Sequence, residues 1–209
     1  MRPHFEHTDE SFSQVLLGVS EKITHEGLTL AGLLERLGAR GLLMFCMVLT
    51  FPFLLPVSIP GTSAPFGLLV ALIGLGILVN RPPWLPDKLM QRRISGEKLV
   101  PLLAKGAALF SRIEKIIHPR LLALTHGALM VRWNGVMLTL SGILLIAPIP
   151  VIFSNTLPAY AVLFLAAGSL ERDGFAILTG YAMLLATIAY FTFLALVGFA
   201  GFKWLANMD

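Results

Sequence analysis

Residues Gly41–Asn80 read GLLMFCMVLTFPFLLPVSIPGTSAPFGLLVALIGLGILVN, bounded by Arg40 and Arg81 and free of Asp, Glu, Lys, Arg and His. The run is too apolar for a soluble surface and long enough to enter a bilayer twice. Its centre carries Pro56, Pro60, Gly61 and Pro65, breakers that release backbone N–H and C=O groups which lipid cannot satisfy. An apolar run broken at its middle belongs to a segment whose backbone faces something other than lipid. The arms, residues 41–55 and 66–80, are each about 22 Å long as helices. A hydrocarbon core is about 30 Å thick. The pattern therefore predicts a re-entrant hairpin that enters and leaves by one face, or a pair of thin, tilted spans with a tight outer turn. Ser58, Thr62 and Ser63 in the bend can bond the released backbone groups. Ser63 has the look of an N-cap, since Pro65 then falls in the first helical turn, where a missing N–H costs little.

Composition points the same way. The 209 residues are 56% hydrophobic and 13% charged, with a mean hydropathy of +0.79, against roughly 25% charged residues in a soluble domain. The length suits one membrane domain, residues 1–209. Cys46 is the single cysteine, which excludes an internal disulfide and predicts a buried apolar thiol. The net charge of +4 is better explained by basic residues held on the cytoplasmic face than by nucleic-acid binding.

The pattern of the first run returns in residues 133–170, again uncharged and again broken at the centre, by Pro148, Pro150, Asn155 and Pro158. A slide of 94 residues superposes Gly41 on Gly135, Pro56 on Pro150, Val57 on Val151, Thr62 on Thr156, Leu69 on Leu163 and Gly74 on Gly168. Thr156 with Pro158 repeats the spacing of Ser63 with Pro65. Interrupted segments in corresponding positions of two halves point to a site between repeats. The candidate binding residues are therefore Ser58, Gly61, Thr62, Ser63, Asn155 and Thr156. The plainer alternative is two related hairpins with no ligand.

The flanks supply the interface. Residues 10–40 are amphipathic, with Gly27 dividing two helices, Thr29 capping the second, and a basic edge at Arg36 and Arg40. Residues 81–132 hold ten Lys or Arg against three acids and open on a stiff Arg-Pro-Pro-Trp-Leu-Pro collar, so this segment is expected on the cytoplasmic face. His4, His7, His118 and His126 are read as solvated or interfacial, and neither a metal site nor a cofactor is expected. Glu171, Arg172 and Asp173 form a charged turn that pairs with the basic collar or sets topology. Phe175–Phe202 then gives 28 uncharged residues without proline, the one stretch that reads unambiguously as a full span. Tyr181, Tyr190 and Thr192 within it suit packing and interhelical bonds. The fold class is all-α: two related proline-broken hairpins, one long transmembrane helix and amphipathic interface helices.

Ser58-Ile-Pro-Gly-Thr-Ser63, Asn80-Arg-Pro-Pro-Trp-Leu-Pro86 and Glu171-Arg-Asp-Gly174 together resemble the bacterial exopolysaccharide-synthesis ExoD family, over about residues 10–205. The resemblance implies a small multi-pass inner-membrane protein associated with exopolysaccharide production and tolerance of alkaline conditions. It implies no catalytic residues.

Three functions compete. A transporter or permeation pathway is favoured by the duplicated breaks, where helices starting near Ser63 and Thr156 would aim N–H groups at an anionic or hydroxyl-rich group. It lacks a buried carboxylate for proton coupling. A transferase would need paired acids near the headgroups, often with a divalent metal, and only Glu171 and Asp173 offer them. A scaffold for polysaccharide machinery would act through the basic residues 81–132 and the amphipathic N-terminal helix. The expectation is a non-catalytic transporter that forms a homodimer to enclose enough volume.

Overall fold

The computed structural model describes residues 28–54, 63–80, 120–147 and 153–206 continuously, with residue 151 and parts of residues 14–20 and 91–111. The described chain is helical apart from a two-residue antiparallel pairing of β1 (Leu28–Thr29) with β2 (Arg93–Ile94). Five helices carry the fold: α1 (Leu30–Thr50), α2 (Ser63–Val79), α3 (Ala128–Ile146), α4 (Thr156–Leu170) and α5 (Gly174–Ala206).

Helix α1 begins where the sequence places a cap: the Thr29 hydroxyl accepts the Gly32 N–H at 3.1 Å. It bends at Gly38, whose φ of 58° and ψ of −146° are non-helical, a conformation that glycine adopts without steric cost. Beyond the bend the helix is buried, with Cys46 0% exposed as the apolar-thiol reading requires. Its regular turns stop at Thr50, earlier than the expected Leu55. Pro52 sits in a 3-10 turn, Phe51–Phe53, that closes the helix. The Thr50 hydroxyl donates back to the Met47 carbonyl at 2.8 Å.

The most extensive helix contact joins α2 to α3, and it is a seam of glycines. A Cβ on Gly67 would lie 2.7 Å from the Gly142 carbonyl oxygen, and one on Gly74 would lie 2.6 Å from the Thr139 nitrogen and 2.9 Å from the Gly135 oxygen. From the other side, Gly142 abuts Ala71 and Gly67, while Gly135 abuts Leu78 and Gly74. Two backbones touch only when no side chain stands between them. Rising residue numbers in α2 meet falling ones in α3, so the pair is antiparallel.

That register decides the architecture. The start of α2 and the end of α3 lie together, so the helix ends that flank both interrupted segments fall at one end of the bundle. Phe53 packs there with Leu145, Ala159, Leu54 and Phe66, its ring 5.4 Å from that of Phe66 and edge-on to it. Helix α4 then returns against α1 and α3, and α5 packs along α4. Two hairpins, α1–α2 and α3–α4, point the same way.

Helix α5 outreaches them. Gly180 abuts Leu165 of antiparallel α4, and Tyr181 bonds Asn134 of α3. Carried forward at equal rise, these contacts place the start of α4 and the end of α3 opposite about residues 189–193 of α5, leaving roughly 20 Å of helix beyond those described ends. In the projecting part Phe193, Leu196 and Phe199 are 61%, 64% and 67% exposed.

Helices α3 and α5 are long and apolar enough to cross a membrane, whereas Arg40–Phe53, α2 and α4 are shorter apolar helices. From sequence, residues 175–202 are the one full span expected; α3 is long enough as well because the helix continues back through Arg132 and Val131 to Ala128. The expected division at Gly27 lies outside the described residues.

The seam makes a test. Gly74→Leu and Gly142→Leu should each lower thermal stability in detergent by at least the ~1–3 kcal/mol typical of core overpacking. Gly198→Leu, where a Cβ meets nothing within 4 Å, should leave the melting temperature unchanged.

Candidate functional site

The two ends of the bundle differ in chemistry. At the end opposite the breaks, Asp173 caps α5: its Oδ1 accepts the Phe175 N–H at 2.8 Å and the Ala176 N–H at 3.4 Å. Its Oδ2 lies 3.8 Å from Arg120 Nε, and the Gly174 N–H donates to the Arg120 carbonyl at 2.7 Å. The chain before α3 is thereby clamped on the α4–α5 turn. A Cβ on Gly174 would come within 2.5 Å of the Leu121 oxygen, so the clamp requires a residue without one. One turn deeper, the Tyr181 hydroxyl donates to Asn134 Oδ1 at 2.5 Å, and Asn134 Nδ2 donates to the Leu124 carbonyl at 3.1 Å.

Among the described residues the break end carries no charge. Uncharged polar side chains are buried there instead: Ser63 at the first residue of α2, and Ser154, Asn155 and Thr156 where α4 begins. Asn155 occupies the N-cap position of α4, yet its side chain makes no capping bond and its Oδ1 is buried without a hydrogen-bond partner. Such an oxygen ordinarily finds a donor, because leaving it bare costs roughly 1–3 kcal/mol. Among the described residues no group of three or more His, Cys, Asp or Glu is placed to hold a metal ion.

The family profile described as "Exopolysaccharide synthesis, ExoD" matches residues 12–193. The chain belongs to the ExoD family. It is similar to Protein ExoD of Rhizobium meliloti, with 45% identity over 208 residues, covering 99% of this chain and 87% of that one. An uncharacterized Synechocystis protein is 30% identical over 143 residues, covering 68% of this chain and 66% of that one. No solved structure matches.

In this ExoD-family chain the structure brings together part of the expected site. Ser63, Asn155 and Thr156 lie at helix starts that meet around Phe53, while Ser58, Gly61, Thr62, Pro56, Pro60, Pro148, Pro150 and Arg81 lie outside the described residues. Ser63 and Thr156 are the first helical residues of α2 and α4, with Pro65 and Pro158 third in each. The cap of α4 is therefore Asn155, one residue before the Thr156 expected to serve. Arg40, Glu171, Arg172 and Asp173 stand at the opposite end, and Asp173 pairs with Arg120, which is not part of the Arg81–Pro86 collar expected as its partner; that collar lies outside the described residues.

Sequence reasoning missed Ser154, Asn134 and Arg120. Ser154 was legible as a neighbour of Asn155. Asn134, an amide within an apolar helix, was a signal passed over. Nothing local marks Arg120 as the partner of a residue 53 positions later.

The Asp173 and Tyr181 contacts give opposite expectations for conservative changes. Asp173→Ala should cost about 1 kcal/mol through the lost cap. Asp173→Asn, which keeps an acceptor, should cost a few tenths, because the Arg120 side chain is 52% exposed and such pairs contribute little. Tyr181→Phe should cost about 1–2 kcal/mol by stranding Asn134 Oδ1. Thermal unfolding of the three variants checks all of this.

Proposed function

We propose that this ExoD-family protein is a non-catalytic, bilayer-embedded permeation or transport protein serving exopolysaccharide synthesis or export, with its site where the two broken hairpins meet. The observation that carries the reading is the contrast between the ends. Arg40, Arg120, Arg132, Glu171, Arg172 and Asp173 stand at one end. The other combines helix termini and buried Ser63, Ser154, Asn155 and Thr156 within wholly apolar sequence. A buried polar group in an apolar interior is expensive unless it has a hydrogen-bond partner, and Asn155 Oδ1 has none within the chain.

The hairpins are read as re-entrant. The described ends of α1–α4 at the breaks stop about halfway along α5, so if α5 crosses the bilayer with its Asp173 end at one surface, those helix ends lie inside it. Helices α2 and α4 start 93 residues apart, at Ser63 and Thr156, and their hairpins point the same way. This supports parallel repeats related by an axis along the membrane normal. The charged end, with the basic segment 81–132, faces the cytoplasm of the bacterial inner membrane. The exposed distal half of α5 is where a second copy would dock to enclose the pathway, and polysaccharide machinery would be met at the basic face. Alkaline tolerance, implied by resemblance, gains no support from a break end without Asp, Glu, His, Lys or Arg.

Single cysteines test the placement. Asn80→Cys and Phe175→Cys should react with an impermeant maleimide from one side of sealed vesicles, and Lys203→Cys from the other. Ser63→Cys and Thr156→Cys should react slowly, and only with small reagents. Fast labelling of those two from the Lys203 side would place the breaks in bulk water and end the re-entrant reading. For function, Thr62→Ala and Thr156→Ala should lower polysaccharide output about tenfold or more in cells lacking their own ExoD, at unchanged protein level. Undiminished output would favour the scaffold.

A further inference from the structure

The break end has a polarity of its own. Helix starts attract anions through free N–H groups, but α4 has few to give. The Leu157 N–H already donates to the Phe153 carbonyl at 3.1 Å, the Ala159 N–H donates to the Asn155 carbonyl at 3.1 Å, and Pro158 between them has none. Pro65 removes the same donor from α2. Helices α1 and α3 arrive by their C-terminal ends, which present carbonyl oxygens. The unpartnered group is also an acceptor, Asn155 Oδ1, on a residue only 7% exposed. Among the described residues at this end, the side-chain atom left without a partner is thus an acceptor.

Charge sharpens the point. Residues 41–80 and 133–170 contain no Lys, Arg or His and no Asp or Glu. An anion would leave water for a site without a cation, and a cation for one without a carboxylate, either at a cost of several kcal/mol. A hydroxyl is neutral, donates one bond and accepts others. It supplies the donor that Oδ1 lacks.

Resting on the reading of the break end as the pathway, we infer that the site takes an uncharged hydroxyl-bearing solute, such as a neutral sugar, through donation to Asn155 Oδ1, and that it excludes anionic sugar phosphates. Asn155 is then the residue that selects for a donor, and its oxygen stays bare because the partner arrives with the solute.

The test uses the full chain in lipid vesicles with Thr156→Cys as reporter and N-ethylmaleimide as reagent. Glucose should slow alkylation saturably, by several-fold, while glucose 6-phosphate should not. Adding Asn155→Leu, or the smaller Asn155→Ala, should abolish the protection, and both variants should melt at or above the parent temperature because a stranded acceptor is gone. A lower melting temperature would make Asn155 a structural residue and overturn the inference. So would better protection by glucose 6-phosphate, or protection that survives both substitutions. If Thr156→Cys reacts but glucose gives no protection, the hydroxyl assignment falls and the pathway stands. If it never reacts, both fall.

Discussion

Between Gly67 and Gly142 two helices meet backbone to backbone, and the remaining architecture follows from that seam. Its antiparallel register brings the start of α2 beside the end of α3, which sets the helix ends flanking both interrupted segments at one end and the charged residues at the other. Side chains at Gly67, Gly74, Gly135 or Gly142 would hold the helices apart and loosen the cluster around Phe53. In an apolar environment, where burial of oil against oil gives no net gain, close backbone approach is the main source of helix association. Glycines every seven residues in both helices are the economical way to obtain it.

Much of this was legible in the chain. Proline clusters located both breaks, Thr29 announced a cap that forms, and an uninterrupted run of 28 residues announced α5. Boundaries were less readable. Pro52 closes α1 before the proline cluster begins, and α3 starts before Trp133 because an arginine near a helix end can extend its head away from apolar surroundings. The pairing of Arg120 with Asp173 and the common direction of the hairpins were not readable at all. Both depend on which helix faces which, information carried by the glycine seam and not by periodicity.

The chemistry of the break end also turned on a detail invisible to motif reading. The sequence suggested helix starts offering N–H groups to an anionic or hydroxyl-rich partner. The hydrogen bonds of the Phe153–Ala159 turn consume those groups, and proline removes others, so the donors that would draw an anion are scarce. What survives is an amide oxygen with nothing to bind. A site can be polar, sheltered and close to a helix start and still favour the opposite hydrogen-bonding partner from the one the dipole suggests.

Of the five helices that are continuous among the described residues, four come in hairpins and return the chain to the side from which it set out; α5 alone has no return stroke. Counted over these described helices, the number of strokes is odd, so residue 28 and residue 206 lie at opposite ends of the bundle. Were α5 to cross a bilayer, a group fused after Ala206 would emerge on the face away from Asp173.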